Sequence, residues 1–427
     1  MWVAKVSSVE IAGGSVALGP RLLSNEDVLR ELGPEAWAGG TPTPERLKFL
    51  AAHTEQELGI AMRGWVHAKD CSGTTTPITS TLDLAELVAE RALVDAGLSK
   101  GDVGWLLCTT STPPRWTTSL ASLLGGRLGI RAPCFDLRAG CAGGLFALGV
   151  ASSLLALNEA PILLVASETF SKVIPKSDKL ATLALGDGAA ALVLRRGASE
   201  QLMSIATCTD GALSHLITTV GELPPTRDQM DRGAYTLSGD PETMAKEAIP
   251  KYLQAIKAVL ESSGWTPEVV DRFVPHQTNT ALMYAVAERA GFAAERVTTT
   301  VGQHANVGVA GSLVALLSQR EGERVVLAAV GGGLSWAAVA WPNPYGSKQR
   351  TLDPLEREVA ECVSALIDVA DLEAPLELDS MRVVELVETL EQRFDIRMRP
   401  RDVTPQHFGS VRALVKLVRT LRGGVLS

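Results

Sequence analysis

Short apolar runs alternate with longer amphipathic segments along most of this chain, and this alternation limits the possible folds more than any other feature. Residues 103–109 and 161–166 are apolar and bounded by polar or turn residues, which is typical of buried parallel strands. Residues 80–96, 242–263 and 280–290 carry apolar side chains at helical spacing. Strands that alternate with helices of this length predict βαβ units and an α/β fold.

The character of the sequence changes near residue 345. Proline, glycine and polar residues at 342–350 predict a linker, and no strand pattern follows. The last segment predicts short helices at about 353–367, 380–394 and 410–421. We therefore predict three parts, which are a large domain over 1–345, a linker over 346–352 and a small all-α bundle over 353–427.

Charge and cysteine usage limit the environment of the protein. Its 48 acidic and 40 basic residues give a net charge of −8 without a long basic run, which argues against a nucleic-acid-binding surface. Apolar stretches such as 160–166 are far shorter than the roughly 20 residues that span a bilayer, and the N-terminus has no signal-peptide pattern. Scattered cysteines without a C-x-x-C pair indicate reduced thiols. We expect a cytoplasmic protein with no membrane, nucleic-acid or metal partner.

One cysteine, Cys141, has a setting that suits catalysis. Small residues surround it in RAGCAGG, an apolar strand-like piece precedes it, and an apolar helix pattern follows. Small residues permit a tight strand-to-helix turn, and a helix N-terminus stabilises the thiolate, which is the nucleophile toward thioesters. The alternative is a buried structural cysteine beside a packing contact, and the local sequence leaves both interpretations open.

Two later residues strengthen the catalytic interpretation. His276 in VPHQTN follows an apolar segment and precedes a helix pattern, and Asn306 in HANVGVAGS also precedes an apolar helix. Catalytic groups gather at the carboxyl ends of parallel strands. Each residue alone is more simply a structural histidine or a helix N-cap. The three residues together are much harder to explain by chance.

Five segments, in this order, resemble the signature segments of β-ketoacyl-acyl carrier protein synthase III and its thiolase-fold relatives. They are GCAGG around Cys141, LGDGAAALVL at 185–194, VPHQTN at 274–279, Asn306 before GVAGS, and GGGLSW at 331–336. The resemblance spans about residues 1–345. It implies a five-layer αβαβα fold made of two similar halves, about 1–195 and 196–345, and a homodimer.

The resemblance also implies roles for particular residues. Cys141 would accept an acyl group from a thioester on a carrier protein or coenzyme A, and His276 and Asn306 would stabilise the enolate formed when a malonyl-type extender loses carbon dioxide. The backbone N–H groups of Cys141 and Gly332 match the family's oxyanion hole. Some relatives that make esters or amides carry an acidic residue in place of Asn306, so the asparagine favours carbon–carbon bond formation.

The C-terminal segment resembles an acyl carrier protein. LDSM at 378–381 opens a helix pattern, and the matching serine of carrier proteins bears a 4′-phosphopantetheine arm that a phosphopantetheinyl transferase attaches. Ser380 is therefore the expected attachment site, since a helix N-terminus favours a phosphate; the alternative is an ordinary N-cap serine. Arginines make the later part less acidic than a typical carrier, which indicates either a private docking partner or a solvated face; they are Arg393, Arg397, Arg399 and Arg401.

Several positions depart from the family pattern. His53, Ala61 and Lys179 stand near positions where housekeeping members hold coenzyme A with a tryptophan and arginines. Ala281 and Glu288 replace basic residues of the helix after the catalytic histidine. These changes predict a weaker coenzyme A grip and a weaker docking face for free carrier proteins. We therefore expect a specialised polyketide or fatty-acyl pathway whose acyl groups arrive on a carrier.

A further departure concerns the loop at 109–119. Trp116 stands near a family position that faces the partner's acyl pocket, where it would favour a small primer; a core or interface tryptophan is the alternative. The loop contains no glutamate, although relatives that condense two acyl chains without decarboxylation have one there. That chemistry is accordingly disfavoured.

Three functions remain in competition at this stage. The first is decarboxylative condensation with a built-in carrier. The second is transfer of the acyl group from Cys141 to a hydroxyl, an amine or the arm on Ser380. The third is a non-catalytic scaffold that presents a carrier, and the intact set of Cys141, His276 and Asn306 argues against it.

Overall fold

The computed structural model of this 427-residue chain divides into two compact units, Met1–Ser347 (unit 1) and Lys348–Ser427 (unit 2). The structure describes all residues except 8, 33, 38, 41, 68–77, 158, 176, 198–200, 321, 346–353, 368–375, 377, 405–406 and 424–427. The predicted linker at 346–352 therefore lies outside the described residues, and so does Cys71.

The described strands all belong to unit 1. They are β1 (Trp2–Val6), β2 (Val9–Leu18), β3 (Arg21–Ser24), β4 (Met62–Trp65), β5 (Trp105–Thr109), β6 (Cys134–Leu137), β7 (Ile162–Thr169), β8 (Asp187–Arg196), β9 (Met203–Thr209), β10 (Ile217–Thr218), β11 (Ser238–Gly239), β12 (Arg272–Pro275), β13 (Arg324–Gly331) and β14 (Ser335–Pro342).

The described α-helices occur in both units. Those of unit 1 are α1 (Asn25–Glu31), α2 (Pro44–Leu58), α3 (Thr81–Asp95), α4 (Leu120–Leu128), α5 (Gly143–Leu157), α6 (Lys179–Ala184), α7 (Arg227–Asp231), α8 (Pro241–Ser263), α9 (Thr280–Ala290), α10 (Val301–His304) and α11 (Gly311–Ser318). Those of unit 2 are α12 (Pro354–Ser364), α13 (Ser380–Phe394) and α14 (Val411–Gly423).

Two five-stranded sheets repeat the same arrangement. The strand order is β2-β8-β7-β5-β6 in the first sheet and β1-β9-β14-β13-β12 in the second. Four consecutive strands in each sheet, β2-β8-β7-β5 and β9-β14-β13-β12, share two antiparallel pairings followed by one parallel pairing. The fifth strand differs, because β6 pairs parallel with β5 in the first sheet and β1 pairs antiparallel with β9 in the second. The repeated pairing pattern is the internal duplication that the resemblance implies.

The first strand belongs to the second sheet and not to the sheet of the N-terminal half. β1 pairs antiparallel with β9 at the edge of the second sheet, where Trp2 lies opposite Thr207. The two ends of unit 1 also meet, because the indole N–H of Trp341 donates to the carbonyl of Val9 at 2.7 Å. A division of the chain near residue 195 therefore describes the sheets except for this exchanged strand.

Apolar side chains on both faces of each sheet create the layers. On β7, Ile162, Leu164 and Ala166 face the cluster that includes α5 and α11, whereas Leu163 and Val165 face the cluster that includes α3 and α4. The outer face of the second sheet packs on α8 and α9. Because strand side chains alternate between faces, continuous apolar runs give strands buried on both sides. The resulting order of helix, sheet, helix, sheet and helix confirms the predicted five-layer αβαβα fold.

The central helix of this sandwich is unusually apolar. Gly140–Leu157 is long and apolar enough to cross a membrane by length and composition, with a mean hydropathy of 1.8. Half of this segment is buried within the protein, and Leu145, Leu148 and Leu155 belong to the core between the sheets. Burial of this half against the two sheets is a reason for the apolar composition that requires no membrane.

Unit 2 is built from its three helices alone among the described residues. Leu386 and Leu390 of α13 pack with Val359 of α12 and Leu414 of α14 in a separate apolar cluster. α13 begins after Asp379, whose side chain accepts a hydrogen bond from the N–H of Arg382 at 2.9 Å. The helix bounds lie close to the predicted ones, and the unit is an all-α bundle.

Candidate active site

Cys141 lies between the end of β6 and the start of α5, in a turn that depends on glycine. Gly140 has a φ of +53°, and a methyl group added to it would lie 2.4 Å from the carbonyl oxygen of Gly332. A methyl group on Gly331 would lie 2.2 Å from the backbone nitrogen of Cys141. The backbone of residues 331–332 therefore lies directly against the backbone of residues 140–141, an approach that only glycines permit.

The Cys141 thiol is not stabilised as a thiolate. Burial, followed by the nearby carboxyl of Glu168, raises the pKa of Cys141 to about 12. From the sequence we expected the N-terminus of the following helix to lower the pKa of Cys141. That expectation is wrong, because α5 begins two residues after Cys141, and desolvation and a negative charge outweigh the helix end.

His276 follows β12, at the carboxyl end of a parallel strand. Its backbone N–H donates to the carbonyl of Ala328 on β13 at 2.7 Å, which extends the strand pairing up to the histidine. The residue is 1% exposed, and its Nδ1 has no hydrogen-bond partner among the described residues. Burial lowers the pKa of His276 to about 4. The imidazole is therefore neutral at physiological pH, with one ring nitrogen able to donate a hydrogen bond.

Both backbone polar groups of Asn306 make hydrogen bonds. Its N–H donates to the carbonyl of Ala184 at 2.9 Å, and its carbonyl accepts from the N–H of Gly186 at 3.0 Å. The side-chain Oδ1 accepts from the N–H of Gly308 at 2.9 Å. Because an N–H can bond only to the oxygen of the amide, this contact assigns the amide orientation and leaves Nδ2 as the free donor.

Close packing links the three predicted residues. A methyl group on Gly144 of α5 would lie 3.3 Å from the carbonyl of Val309, three residues after Asn306. A methyl group on Gly311 would lie 3.5 Å from Nδ1 of His276. The segments that carry Cys141, His276 and Asn306 thus share contacts, and the Gly331–Gly332 backbone completes the enclosure.

Two further groups at this site were not identified from the sequence. Glu168 is fully buried on β7, and its charge acts on the Cys141 thiol. Tyr252 of α8 is 3% exposed, and burial followed by the charge of Cys141 raises its pKa above the ordinary value. The available signal for Glu168 was a carboxylate placed at the carboxyl end of an apolar parallel strand.

A cavity of about 590 Å³ has a wall that includes none of Cys141, His276 and Asn306. Its wall includes Ser238 and Gly239 of β11, which pair with β10. Ile217 of β10 touches the glycine run, because a methyl group on Gly332 would lie 3.1 Å from the Ile217 carbonyl. The other lining residues are Pro175, Asp178, Val220, Gln229, Arg232, Gly233, Ala234, Thr236 and Leu237.

The positions that depart from the family pattern lie on the surface or near it. His53 is exposed on α2, and its ring stacks at 6.2 Å from that of Phe49. Lys179 lies with its amine 4.2 Å from the ring centre of Trp37, a cation–aromatic pair that sequence reasoning did not identify.

The remaining departures lie on other elements. Ala281 and Glu288 are both exposed on α9. Trp116 is 67% exposed, which places it on the surface of this chain and not in its core. Ala61, in contrast, is half-buried, and its backbone N–H donates to the carbonyl of Gly302 at 2.8 Å.

Ser380, in unit 2, is the first residue of α13. The adjacent Met381 is 83% exposed, so the helix starts at the surface of unit 2. An exposed helix N-terminus suits a covalently attached phosphate. Among the described residues, no cluster of three or more His, Cys, Asp or Glu side chains is arranged to bind a metal ion.

Comparison with known proteins assigns the large unit to a family. Residues 135–211 match the family description 3-oxoacyl-[acyl-carrier-protein] synthase III, and residues 260–342 match its C-terminal part. A β-ketoacyl-[acyl-carrier-protein] synthase III of Streptomyces coelicolor is 30% identical over 351 residues, covering 78% of this chain and 97% of the relative. The chain belongs to the β-ketoacyl-acyl carrier protein synthase III family.

Other synthase III proteins agree with this membership. A relative from Rhizorhabdus wittichii is 32% identical over 271 residues, covering 61% of this chain and 83% of the relative. The crystal structure of the Pseudomonas aeruginosa 3-oxoacyl-(acyl carrier protein) synthase III matches with a TM-score of 0.66 and 27% identity, covering 78% of this chain and 98% of that one. A priming β-ketosynthase from a polyketide biosynthetic pathway shares the fold at 23% identity and a TM-score of 0.66, covering 81% and 99%.

Unit 2 has its own match. Residues 358–418 correspond to a family described as the phosphopantetheine attachment site. The chain is therefore a synthase III-type condensing enzyme, a transferase, with a fused carrier domain for covalently attached 4′-phosphopantetheine. This result confirms the resemblance and the cofactor predicted from the sequence.

Proposed function

We propose that this synthase III carries out decarboxylative condensation, with Cys141 as nucleophile and Ser380 as the attachment site of its built-in carrier. One observation carries the proposal. A neutral imidazole on His276 and an amide on Asn306 with its oxygen already engaged present two uncharged donors in the packed segments around Cys141. Uncharged donors stabilise a developing enolate oxygen.

Each residue has one chemical task in this proposal. Cys141 loses its proton as it attacks a thioester carbonyl, forms the acyl thioester and releases the thiol of the donor. The backbone N–H groups of Cys141 and Gly332 stabilise the negative oxygen during that attack. His276 and Asn306 then donate to the oxygen of the enolate that remains when the extender loses carbon dioxide. That enolate carbon attacks the Cys141 thioester, which frees the cysteine.

The carrier domain would serve this site by raising the local concentration of its substrate. When bound, phosphopantetheine supplies a thiol that holds acyl groups as thioesters. Ser380 fits this attachment because it begins an exposed helix, next to Met381. A short tether produces an effective concentration of roughly millimolar. The departures at Ala281 and Glu288 support a specialised fatty-acyl or polyketide role, in which the substrate arrives on the carrier.

The test uses the intact chain, converted to the malonylated form with a phosphopantetheinyl transferase and malonyl-coenzyme A, and then treated with short acyl thioesters. Mass spectrometry of the Ser380 and Cys141 peptides is the readout. We expect a β-ketoacyl mass on the Ser380 peptide, absent in Cys141→Ala and present in the matched control Cys208→Ala, since Cys208 is another partly exposed cysteine.

Asn306→Asp separates the two half-reactions. The variant should still acylate Cys141 but should condense about 100-fold more slowly, because a carboxylate replaces a donor opposite a developing negative oxygen. Acylated Cys141 beside an unchanged malonyl arm in the unsubstituted chain would contradict condensation and favour acyl transfer to a hydroxyl, an amine or the carrier thiol. A Ser380→Ala chain that is still modified would contradict the attachment site.

A further inference from the structure

Glu168 is a fully buried carboxyl group whose oxygens receive hydrogen bonds from one loop. The backbone N–H of Ser111 donates to Oε1 at 2.9 Å, and the hydroxyl of Thr112 donates to Oε2 at 2.7 Å. The hydroxyl of Thr110 lies 3.3 Å from the same oxygen. These contacts fasten the start of the loop that carries Trp116 to the end of β7.

These hydrogen bonds stabilise the charged form of Glu168. Thr112 Oγ1 accepts from the N–H of Thr169 at 2.8 Å, and Thr110 Oγ1 accepts from the N–H of Thr112 at 3.0 Å. Both hydroxyls can therefore donate to Glu168, and the third donor is an N–H that cannot accept. Burial is the larger effect and raises the pKa of Glu168, although these donors act in the opposite direction.

Glu168 also touches the turn that orients Asn306. A methyl group on Gly308 would lie 3.0 Å from Cγ of Glu168 and 2.4 Å from the ring of Phe170. Gly308 has a φ of +54°, and its N–H donates to Oδ1 of Asn306. The side chain of Glu168 thus forms part of the wall that holds this glycine, and through it the amide, in place.

From these contacts we infer that Glu168 is a positioning residue for the reaction: it fixes the turn that aims the Asn306 amide and places a buried negative charge beside Cys141. The inference rests on the proposed role of Cys141 as nucleophile. Because both carboxyl oxygens are occupied by donors, Glu168 acts through its position and charge and not as a base.

A charge at this position has a consequence for the empty enzyme. A carboxylate disfavours a second negative charge nearby, so the unacylated Cys141 stays a thiol. Among the residues that the structure describes, the charged and titratable groups that act on or respond to Cys141 are Glu168 from β7 and Tyr252 from α8. A thiol resists adventitious alkylation and oxidation far better than a thiolate does, whereas an acylated cysteine is neutral and carries no penalty.

The test compares full-length Glu168→Gln with Glu10→Gln, a substitution of another buried carboxyl on the same sheet. Alkylation of Cys141 by iodoacetamide is followed by peptide mass spectrometry from pH 6 to pH 10. We expect the Glu168→Gln profile to shift to lower pH, with alkylation at pH 8 faster by about three- to tenfold, which corresponds to roughly half to one pH unit. The Glu10→Gln profile should match that of the unsubstituted chain.

A second variant and a second readout separate positioning from loss of structure. Thr112→Val removes one donor to Glu168 and should shift the alkylation profile in the same direction by a smaller amount. In Glu168→Gln, acylation of Cys141 should be retained while condensation falls severalfold. This inference is overturned if the alkylation profile of Glu168→Gln coincides with that of the unsubstituted chain. The proposed function stays intact in that case, provided that Cys141→Ala cannot be acylated. Acylation that persists in Cys141→Ala overturns the proposed function itself.

Discussion

Ala305, the residue before Asn306, has a backbone conformation that side chains other than glycine rarely adopt. Its φ is +56° and its ψ is −167°, a region that is essentially restricted to glycine. The residue is fully buried, and its N–H donates to the carbonyl of Val301 at 2.8 Å. The strain is therefore maintained by the surrounding structure, next to a residue of the proposed catalytic set.

The expected effect of Ala305→Gly follows from two opposing terms. Removing the Cβ relieves backbone strain of about 1–3 kcal/mol. Glycine costs about 0.5–1 kcal/mol because the unfolded chain gains conformational freedom. The free energy of unfolding of unit 1 should therefore rise by up to about 2.5 kcal/mol, although most single substitutions lower it.

The assay is urea unfolding followed by tryptophan fluorescence. All eight tryptophans lie before residue 342, so their fluorescence reports on unit 1 without a contribution from unit 2. Ala52→Gly is the matched control, because Ala52 is exposed within α2 and has ordinary helical geometry. This control should lose about 1 kcal/mol.

Opposite signs for the two alanine-to-glycine substitutions would support the strain argument. Equal losses of stability would refute it, because they would mean that Ala305 experiences no strain that glycine can relieve. If Ala305→Gly is stabilising, we also expect slower condensation with unchanged acylation of Cys141, since a freer backbone no longer holds Asn306 in a single orientation.

Two further predictions concern stability. Burial lowers the pKa of His276 from 6.5 to about 4 in the folded chain. Between these pH values the unfolded chain binds more protons than the folded one. The stability of unit 1 should therefore fall by about 3 kcal/mol as pH decreases from 6.5 to 4. His276→Gln should remove that contribution in urea titrations at pH 7 and pH 4, and an unchanged pH dependence would contradict it. In unit 2, Leu414→Ala removes a fully buried side chain at a cost of about 2–5 kcal/mol, whereas the exposed Val384→Ala should cost less than about 0.5 kcal/mol. Tryptic digestion of residues 354–423 should accelerate only in Leu414→Ala, and equal rates would show that Leu414 is not part of a cooperative core.

Much of the fold could be predicted from the sequence because it depends on local patterns. The apolar runs around residues 105 and 163 and the helical periodicity of residues 280–290 appear as β5, β7 and α9. The exchange of β1 into the second sheet was not predictable, because it depends on pairing between Trp2 and Thr207, which are far apart in sequence. Edge pairing of this kind leaves no local pattern in the sequence.

The proposed site likewise has parts that the sequence predicts and parts that it does not. Glycines around Cys141 and small residues after Asn306 are visible in the sequence because close backbone approach requires them. Glu168 was missed because its partners, the loop around Thr112 and the turn at Gly308, belong to other parts of the chain. Burial, followed by this carboxyl, raises the pKa of Cys141 where the sequence led us to expect a thiolate, since the environment of Cys141 depends on tertiary neighbours.

The exchanged strand has a consequence for synthesis on the ribosome. β1 is synthesised before β9, so it cannot pair until β9 has left the ribosome. The carbonyl of Val9 likewise has no indole partner until Trp341 has been synthesised. Chains grow at about 5–20 residues per second, so the earliest segment of unit 1 stays without its partner for many seconds. The carrier domain, whose core spans only residues 359–418, needs no such delay and can fold as soon as it leaves the exit tunnel. Folding of this polypeptide should therefore be limited by closure of the large unit, and a nascent chain stalled before residue 203 should still expose its first strand to chaperones and proteases.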